Sequence, residues 1–452
     1  MKYFTEPKKK LPVYGNFDVV VCGGGPAGCG SALSAARNGA KVLLIEQTGC
    51  LGGMGTAGLI PCFAPFTYAK EPLAKGIALE VLNKLKALDG VGNSPKSSTS
   101  WIGIDPEKLK LLYDKLMEEA GVKVLFFTAV SDVIKNRGKI TAVIIENKNG
   151  RQAVAGKTFI DATGDADIAA KAGVPFGKGD NKGKMQPVTV CFSAAGINSN
   201  EFKTLRNVTF KGKNSAMTEK TLTSAEGKSL PRLKFGEYRF IAQKDLGGGV
   251  WGFNFGHVFD IDGTDTDRLS FAIAYGRKIA NNFIAYARKH IPGFKNASLL
   301  QTSQLLGVRE TRRIKGLYTF NYKDYVSRHK FSDAIAVYDY PIDIHVPKKS
   351  RSIFNKMERE FTKDFVLPYG KYYSVPFRSL VPLKIDNLLV AGRSVSTDRM
   401  TQGALRVMPL CSCMGQAAGL AAAMAAKKGN SFKDTDIKLL RETLKKQGAK
   451  ID

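Results

Sequence analysis

Gly23, Gly25 and Gly28 follow the apolar run Val19–Cys22 and open a stretch of small residues, Gly30, Ser31, Ala32, Ala35 and Ala36. This spacing suits phosphate chemistry. Gly23 permits the tight turn, Gly25 lets backbone approach a pyrophosphate, and Gly28 lets a helix touch a strand. The helix N-terminus then offers free N–H groups and a partial positive charge. A second apolar run, Lys41 to Ile45, ends in Glu46, and seventeen residues separate Gly28 from that acid. A carboxylate there can accept hydrogen bonds from ribose hydroxyls, so the pattern predicts dinucleotide binding.

Two stretches carry chemistry of another kind. Gly307 to Arg313 holds Arg309, Arg312 and Arg313, three arginines within five residues, beside Glu310. Arginine binds carboxylates and phosphates bidentately and keeps its charge. A surface salt-bridge network with Glu310 is the other reading. Tyr340 to His345 sets one of only four histidines near an acid. His345 is either a structural histidine or an acid–base group.

These residues need elements to position them. Val19–Cys22 reads as a buried strand, the small-residue run as a helix against a sheet, and Lys41–Ile45 as a second strand. The loop Cys50 to Gly58 is rich in glycine, which fits backbone lying flat on a cofactor. Helical spacing runs from Ala69 to Ala87, and residues 89–100 read as a surface loop. Asp105-Pro106-Glu107 is a helix start, with Gly121 as its stop. Val122–Phe127 is a strand, and turns near Gly138 and Gly150 predict an antiparallel meander ending at Ile160. There a strand runs into Ala162-Thr163-Gly164-Asp165, a second crossing beside the nucleotide crevice. Composition changes near Pro175–Asn181, and Met185 to about Phe377 alternates strands with a helix over 265–290. A last apolar strand, Asp386 to Arg393, leads through Gly403 to a small-residue helix from Pro409. A charged surface helix closes the chain.

A chain of 452 residues can bury a large core and divide into two or three domains. Its composition is that of a soluble globular protein. No secretory signal is read at the N-terminus. The apolar run Pro409 to Ala426 reads as a buried helix rather than a membrane span. Seven cysteines without a C-x-x-C pair predict a reducing, cytoplasmic setting with no zinc or iron–sulfur cluster. Cys22, Cys29 and Cys191 read as small buried residues. Cys50 and Cys62 read the same way, with a place near a cofactor as the alternative. The formal net charge is +28, with lysine clusters at Lys8-Lys9-Lys10, Lys348-Lys349 and Lys445-Lys446. Such charge favours anionic partners. No RNA-binding fingerprint accompanies it, so nucleic acid is the lesser reading and a solvated surface the greater.

Four pieces taken together resemble the FAD-binding fold of the glutathione-reductase superfamily. They are the glycine fingerprint with its acid, the Gly-Gly loop, Ala-Thr-Gly-Asp, and the C-terminal strand–Ala-Gly-Arg–small-residue helix. More narrowly the chain resembles the bacterial FAD-dependent oxidoreductases related to the flavin module of heterodisulfide reductase. The motifs are GVRETRRI (Gly307 to Ile314), YPIDIH (Tyr340 to His345), PFRSL (Pro376 to Leu380) and NLLVAGR…ALRVMP…GQAAG (Asn387 to Gly419). The resemblance spans about residues 17 to 426. It implies an α/β Rossmann-like FAD domain, with a parallel sheet plus a β-meander, and an inserted α+β substrate domain. The expected division is 1–178, 179–379 and 380–452.

The resemblance also implies roles. Gly23, Gly25 and Gly28, with Pro26 and Ala27, hold the pyrophosphate. Glu46 and Gln47 take the adenosine ribose, and Ala129 and Val130 meet adenine. Gly52, Gly53 and Met54 lie along the ribityl and ring side. Ala162, Thr163, Gly164 and Asp165 sit at the second crossing. Gly392, Arg393, Arg406, Val407 and Met408 close over ribityl and isoalloxazine. The wider superfamily often has Gly-Asp where this chain has Gly392-Arg393, so Asp398 is the candidate for the ribitol contact. The cysteine clusters of the heterodisulfide reductase relatives are missing. The expected activity is hydride transfer between flavin N5 and a small polar, anionic or carbohydrate substrate. Arg309, Arg312 and Arg378 are the candidates to hold it, and His345 the candidate to move its proton. FAD is expected to be non-covalent. Only one dinucleotide fingerprint occurs, so substrate, oxygen, quinone or a partner protein is expected to complete the redox cycle. The alternatives are an RNA-modifying flavoprotein and a non-catalytic flavoprotein that relays electrons.

Overall fold

The computed structural model describes residues 4–5, 7–92, 99–204, 242–345 and 366–452; the lysine pair Lys348-Lys349 lies outside them. Seven strands form one sheet: β1 (Val13–Cys22), β2 (Val42–Ile45), β3 (Lys123–Leu125), β4 (Ala129–Asn136), β5 (Lys139–Asn147), β6 (Gly150–Asp161) and β7 (Leu388–Val390). Their order is β3-β2-β1-β6-β5-β4, with β7 also on β6. The long strand β6 does two jobs. Its first half pairs antiparallel with β5, from Asn147↔Gly150 to Ala142↔Ala155, and its second half pairs parallel with β7, from Leu388↔Phe159 to Val390↔Asp161. Cys22 stands opposite both Ile45 and Asp161. Four strand ends therefore reach the same edge of the sheet, and this is the edge where open α/β sheets bind ligands.

The continuous apolar run of β1 follows from burial on both faces. Val19 and Val21 join Leu44, Ile160 and Leu389 in a core with the helices, while Val20 and Cys22 join Leu43, Ile45 and Phe159 in a core with the meander residues Val143 and Ile145. The result is the expected three layers: helices, parallel sheet and meander.

The helical layer contains α1 (Pro26–Arg37), α2 (Ile77–Ala87) and α3 (Pro106–Glu119). The helix spacing read from Ala69 overshoots by eight residues, because Gly76 takes φ +65° and blocks helix before Ile77. Outside this layer lies α4 (Thr266–His290), and α5 (Met408–Lys428) returns to it. Among the described residues α5 is the one helix long and apolar enough to cross a membrane, but 83% of its apolar window is buried inside the protein. It packs backbone to backbone on α1. A Cβ on Gly415 would stand 2.1 Å from the Ala27 carbonyl oxygen, and one on Gly419 2.1 Å from that of Ser31.

A second core lies between an antiparallel sheet and α4. The strands run in the order Ala242–Gly247, Val250–Asn254, Phe192–Ala195 and Ser298–Thr302. Phe192 stacks on Phe253 at 5.1 Å, and both meet Phe283 from α4. The antiparallel pair Ala334–Tyr338 and Tyr373–Pro376 packs in the first core beside α5 rather than in this one.

Candidate functional site

A cavity of about 490 Å³ runs along the carboxyl edge of the sheet. Its volume lies in the usual range for cofactor and ligand sites. At one end Glu46, Gln47, Ala129 and Val130 line it; Gly23, Gly25, Pro26 and Ala27 form the middle; Gly392, Arg393, Arg406 and Met408 close the other end. Gly53, Met54, Ala162, Thr163, Gly164 and Asp165 supply the side walls.

Local chemistry explains the cradle. The N-cap of α1 is Gly25, no side chain caps the helix, and Pro26 occupies its first turn. The first backbone N–H groups are thus left for a ligand. A Cβ on Gly25 would meet nothing within 4 Å, so this glycine borders open cavity, whereas one on Gly28 would stand 1.7 Å from the Gly23 carbonyl oxygen. Gly28 therefore serves helix–strand packing and does not line the cavity. Glu46 is buried, accepting from the Gly24 N–H at 2.6 Å through Oε2 and from the Thr48 N–H at 2.8 Å through Oε1. The turn and the acid hold each other. At the second crossing Asp161 accepts from the Thr163 hydroxyl at 2.7 Å and the Ala169 N–H at 2.9 Å. Burial pushes its carboxyl up to about 6.

Several expected contacts are placed elsewhere. Gly52, at φ +96°, donates its N–H to the Gly24 carbonyl and shapes the loop from behind. Val407 is the N-cap of α5 and lies just off the cavity wall. Asp398, the candidate for the ribitol contact, is not among the residues that line the cavity. It caps the helix Arg399–Leu405 through the Thr401 N–H at 2.8 Å and accepts from the Tyr322 N–H at 2.7 Å. Arg393 lines the cavity, but its guanidinium is held by the Gly164 and Val308 carbonyls and by Asp165. It ties β6, β7 and the arginine-rich loop together. Cys50 and Cys62 stay off the wall, while Cys22 and Cys411 are on it. Sequence spacing also missed the contribution of α4, whose Leu269, Ser270 and Ile273 reach the cavity, and of Gln304 to Leu306. No motif marks these residues, because they arrive from the second core.

The arginines part company. Arg378 lies outside, with a half-exposed side chain; it grips Asp333 at 2.9 and 3.2 Å and stacks over Tyr318 at 5.2 Å. Arg312 binds Asp167 at 2.8 Å and lies over Phe176 at 5.5 Å. Arg309 does join His345. Arg309 donates to the Pro187 carbonyl and the Thr189 hydroxyl, and Arg406 donates to Asp343 through the carbonyl at 2.6 Å and Oδ2 at 3.2 Å. His345 Nε2 lies 3.3 Å from Asp343 Oδ1, and its backbone N–H donates to Gln186 Oε1 at 2.9 Å. The ring of His257 stands 4.9 Å away, edge-on. Burial and the neighbouring Arg309 push the His345 imidazole down to about 4. Burial opposes ionisation of Asp343, but His345, Arg406 and Arg309 hold it well below the usual carboxylate range. Burial, then repulsion from Arg406, pulls Arg309 down to about 10. The site thus pairs a neutral imidazole with an ionised carboxylate and two guanidinium groups. Arg406 belongs to both this cluster and the cavity wall, so the two are continuous.

The cavity fits FAD by its chemistry: an uncapped helix N-terminus suits a pyrophosphate, the face at Gly25 is open, and the Glu46 carboxylate on the wall suits ribose hydroxyls. Over 282 residues the chain is 27% identical to the digeranylgeranylglycerophospholipid reductase of Methanocaldococcus jannaschii, covering 60% of this chain and 61% of that protein. Over 168 residues it is 33% identical to the thiamine thiazole synthase of Methanococcus aeolicus, covering 34% of this chain and 57% of that protein. The chain therefore spans less than two thirds of the length of these curated relatives. A solved geranylgeranyl bacteriochlorophyll reductase-like protein from Thermoplasma acidophilum superposes with a TM-score of 0.47 at 13% identity, over 96% of this chain and 84% of that one. A family model described as FAD dependent oxidoreductase matches residues 18–444, and the chain belongs to that family.

Proposed function

We propose that this FAD-dependent oxidoreductase exchanges a hydride between flavin N5 and a small polar substrate seated at Arg309, Asp343, His345 and Arg406. The observation that carries the reading is the continuity at Arg406, which lines the cofactor cavity and bonds Asp343. FAD, when bound, supplies a ring that accepts or donates hydride. The chain supplies position, charge and a proton site. Asp343 orients His345 through Nε2, which leaves Nδ1 as the proton acceptor. The α5 N-terminus, with no side-chain cap, offers a positive dipole end to charge developing nearby. Met54, Leu305 and Leu306 give the cavity apolar surface that limits water.

His345→Gln tests the reading. Anaerobic flavin reduction by a turned-over substrate is expected to slow about 10²–10⁴-fold, with FAD content unchanged. An unchanged rate would sink the proton role. The proposed attachment is non-covalent. Burial holds the cavity-lining Cys411 thiol up to about 12, so it is a poor nucleophile. Acid precipitation should release the flavin into the supernatant; flavin kept in the pellet would contradict this. All seven cysteines are free thiols, which supports a reducing, cytoplasmic setting.

A further inference from the structure

The polar cluster beside the cofactor cavity carries more positive charge than the described residues neutralise. Arg309 uses Nη1 on Pro187 and Thr189, and Arg406 uses Nη2 on Asp343. Their remaining guanidinium N–H groups meet no hydrogen-bond partner among the described residues. The other groups that face Arg309 are Asp343, the Cys191 thiol and the Tyr340 phenol. Burial keeps the thiol and the phenol neutral, and His345 is neutral as well. Among the described residues, two guanidinium groups thus stand against one carboxylate.

A second, independent observation points the same way. Gln186 is 1% exposed, and its amide oxygen is taken by the His345 N–H, which fixes the amide's orientation. Its Nε2 is then a buried donor with no partner. Buried donors are rarely left unpaired.

We propose that this cluster is the seat of a substrate carboxylate, held by the unpaired N–H edges of Arg309 and Arg406 with the Gln186 amide as a third donor. The proposal rests on the reading above, in which the cluster is the substrate end of the cofactor cavity. A planar carboxylate matches the guanidinium fork. Its single charge matches the single unbalanced one, whereas a phosphate near −2 exceeds it. Arg406 thereby becomes a substrate residue as well as a cavity-wall residue, and Gln186 enters the site.

Calorimetric titration of the FAD-loaded protein with propionate and its neutral isostere propionamide tests this. Propionate should bind at least about tenfold more tightly. Arg309→Gln should remove that preference, and so should Arg406→Gln. Arg309→Lys, which keeps charge but loses the fork, should weaken propionate less than Arg309→Gln. Arg378→Gln, distant and held by Asp333, should change nothing. Equal binding of the two isosteres, tighter binding of inorganic phosphate, or propionate affinity unaltered in both glutamine variants would overturn the proposal. So would no saturable propionate binding up to about 0.1 M. The cofactor reading is scored separately, by flavin absorbance of the same samples. Flavin retained without propionate selectivity rejects the carboxylate seat alone. Flavin lost from the unaltered protein rejects the cofactor reading, and propionate selectivity that vanishes in Arg309→Gln still decides the seat.

Discussion

Gly25 and Gly28 are three residues apart and look alike in the sequence, yet their surroundings predict opposite outcomes. A Cβ at Gly25 meets no atom within 4 Å beyond its chain neighbours, and its φ of −72° suits any residue. Gly25→Ala should therefore leave the FAD-free protein close to its stability and weaken FAD by at least about tenfold, ~1.4 kcal/mol. Thermal melts with and without FAD separate the two effects. Gly28→Ala drives a methyl into the Gly23 carbonyl and should lower the melting temperature even without FAD. Equal melting losses in the two variants would contradict the cradle. His345 gives a pH signature at the same scale. Its folded pKa, about 4, lies below the ordinary 6.5. The unfolded chain therefore takes the proton first, so this contribution to stability is whole above pH 6.5 and is lost as pH falls toward 4. His345→Gln should flatten that part of the stability–pH curve, and an unchanged slope would place the transition on another group.

At the scale of elements, α1 and α5 behave as one unit. Gly415 and Gly419 let α5 lie on the α1 backbone, and Gly30 does the same from the other side, where a Cβ would stand 2.7 Å from the Ser412 carbonyl oxygen. Gly415→Ala should destabilise by about 1–3 kcal/mol. It should also weaken FAD, because the displaced contact is Ala27, a cavity residue in the first turn of α1. A melt shifted without loss of FAD affinity would separate packing from the cradle. Much of this unit was legible in the sequence. Gly23 to Glu46 specifies a turn, a helix start and a strand end within one local stretch, where spacing is decisive. Asp105-Pro106 and Gly121 mark α3 for the same reason. The substrate-side cluster was legible only in part. Gln186, Arg309, Asp343 and Arg406 arrive from four distant segments, and nothing in local spacing says that Arg309 meets His345 while Arg378 turns outward to Asp333. Asp398 stands off the cavity wall because its acid has a nearer use, capping the helix that follows it.

At the scale of the whole molecule, the two cores meet through a buried carboxylate. Glu310 has no exposed side chain; it accepts from the Gln186 N–H at 2.7 Å, from Arg399 at 3.0 and 3.1 Å, and from Arg313 at 3.2 Å. Arg313 continues to the Gly179 carbonyl. One side chain thus joins the segment leading into the second core, the arginine-rich loop, and the helix that precedes Arg406. The sequence allowed a surface salt-bridge network here, and burial makes the pairing far more consequential. Replacing Glu310 by alanine leaves two guanidinium groups buried without a counter-charge, which costs about 3–5 kcal/mol. Glu310→Gln keeps the shape and part of the hydrogen bonding, so it should cost less and remain folded for measurement. Its neighbours predict how the loss divides. Gln186, a direct partner of Glu310, and Arg309, next to it in the chain, belong to the substrate-side cluster, whereas none of the partners of Glu310 belongs to the glycine cradle. Glu310→Gln should therefore raise KM for the substrate, or the dissociation constant for a small carboxylate, more than it weakens FAD. Equal losses of the two would mean that the cores move as one body, and that Glu310 acts through global stability rather than by holding the cluster against the cavity.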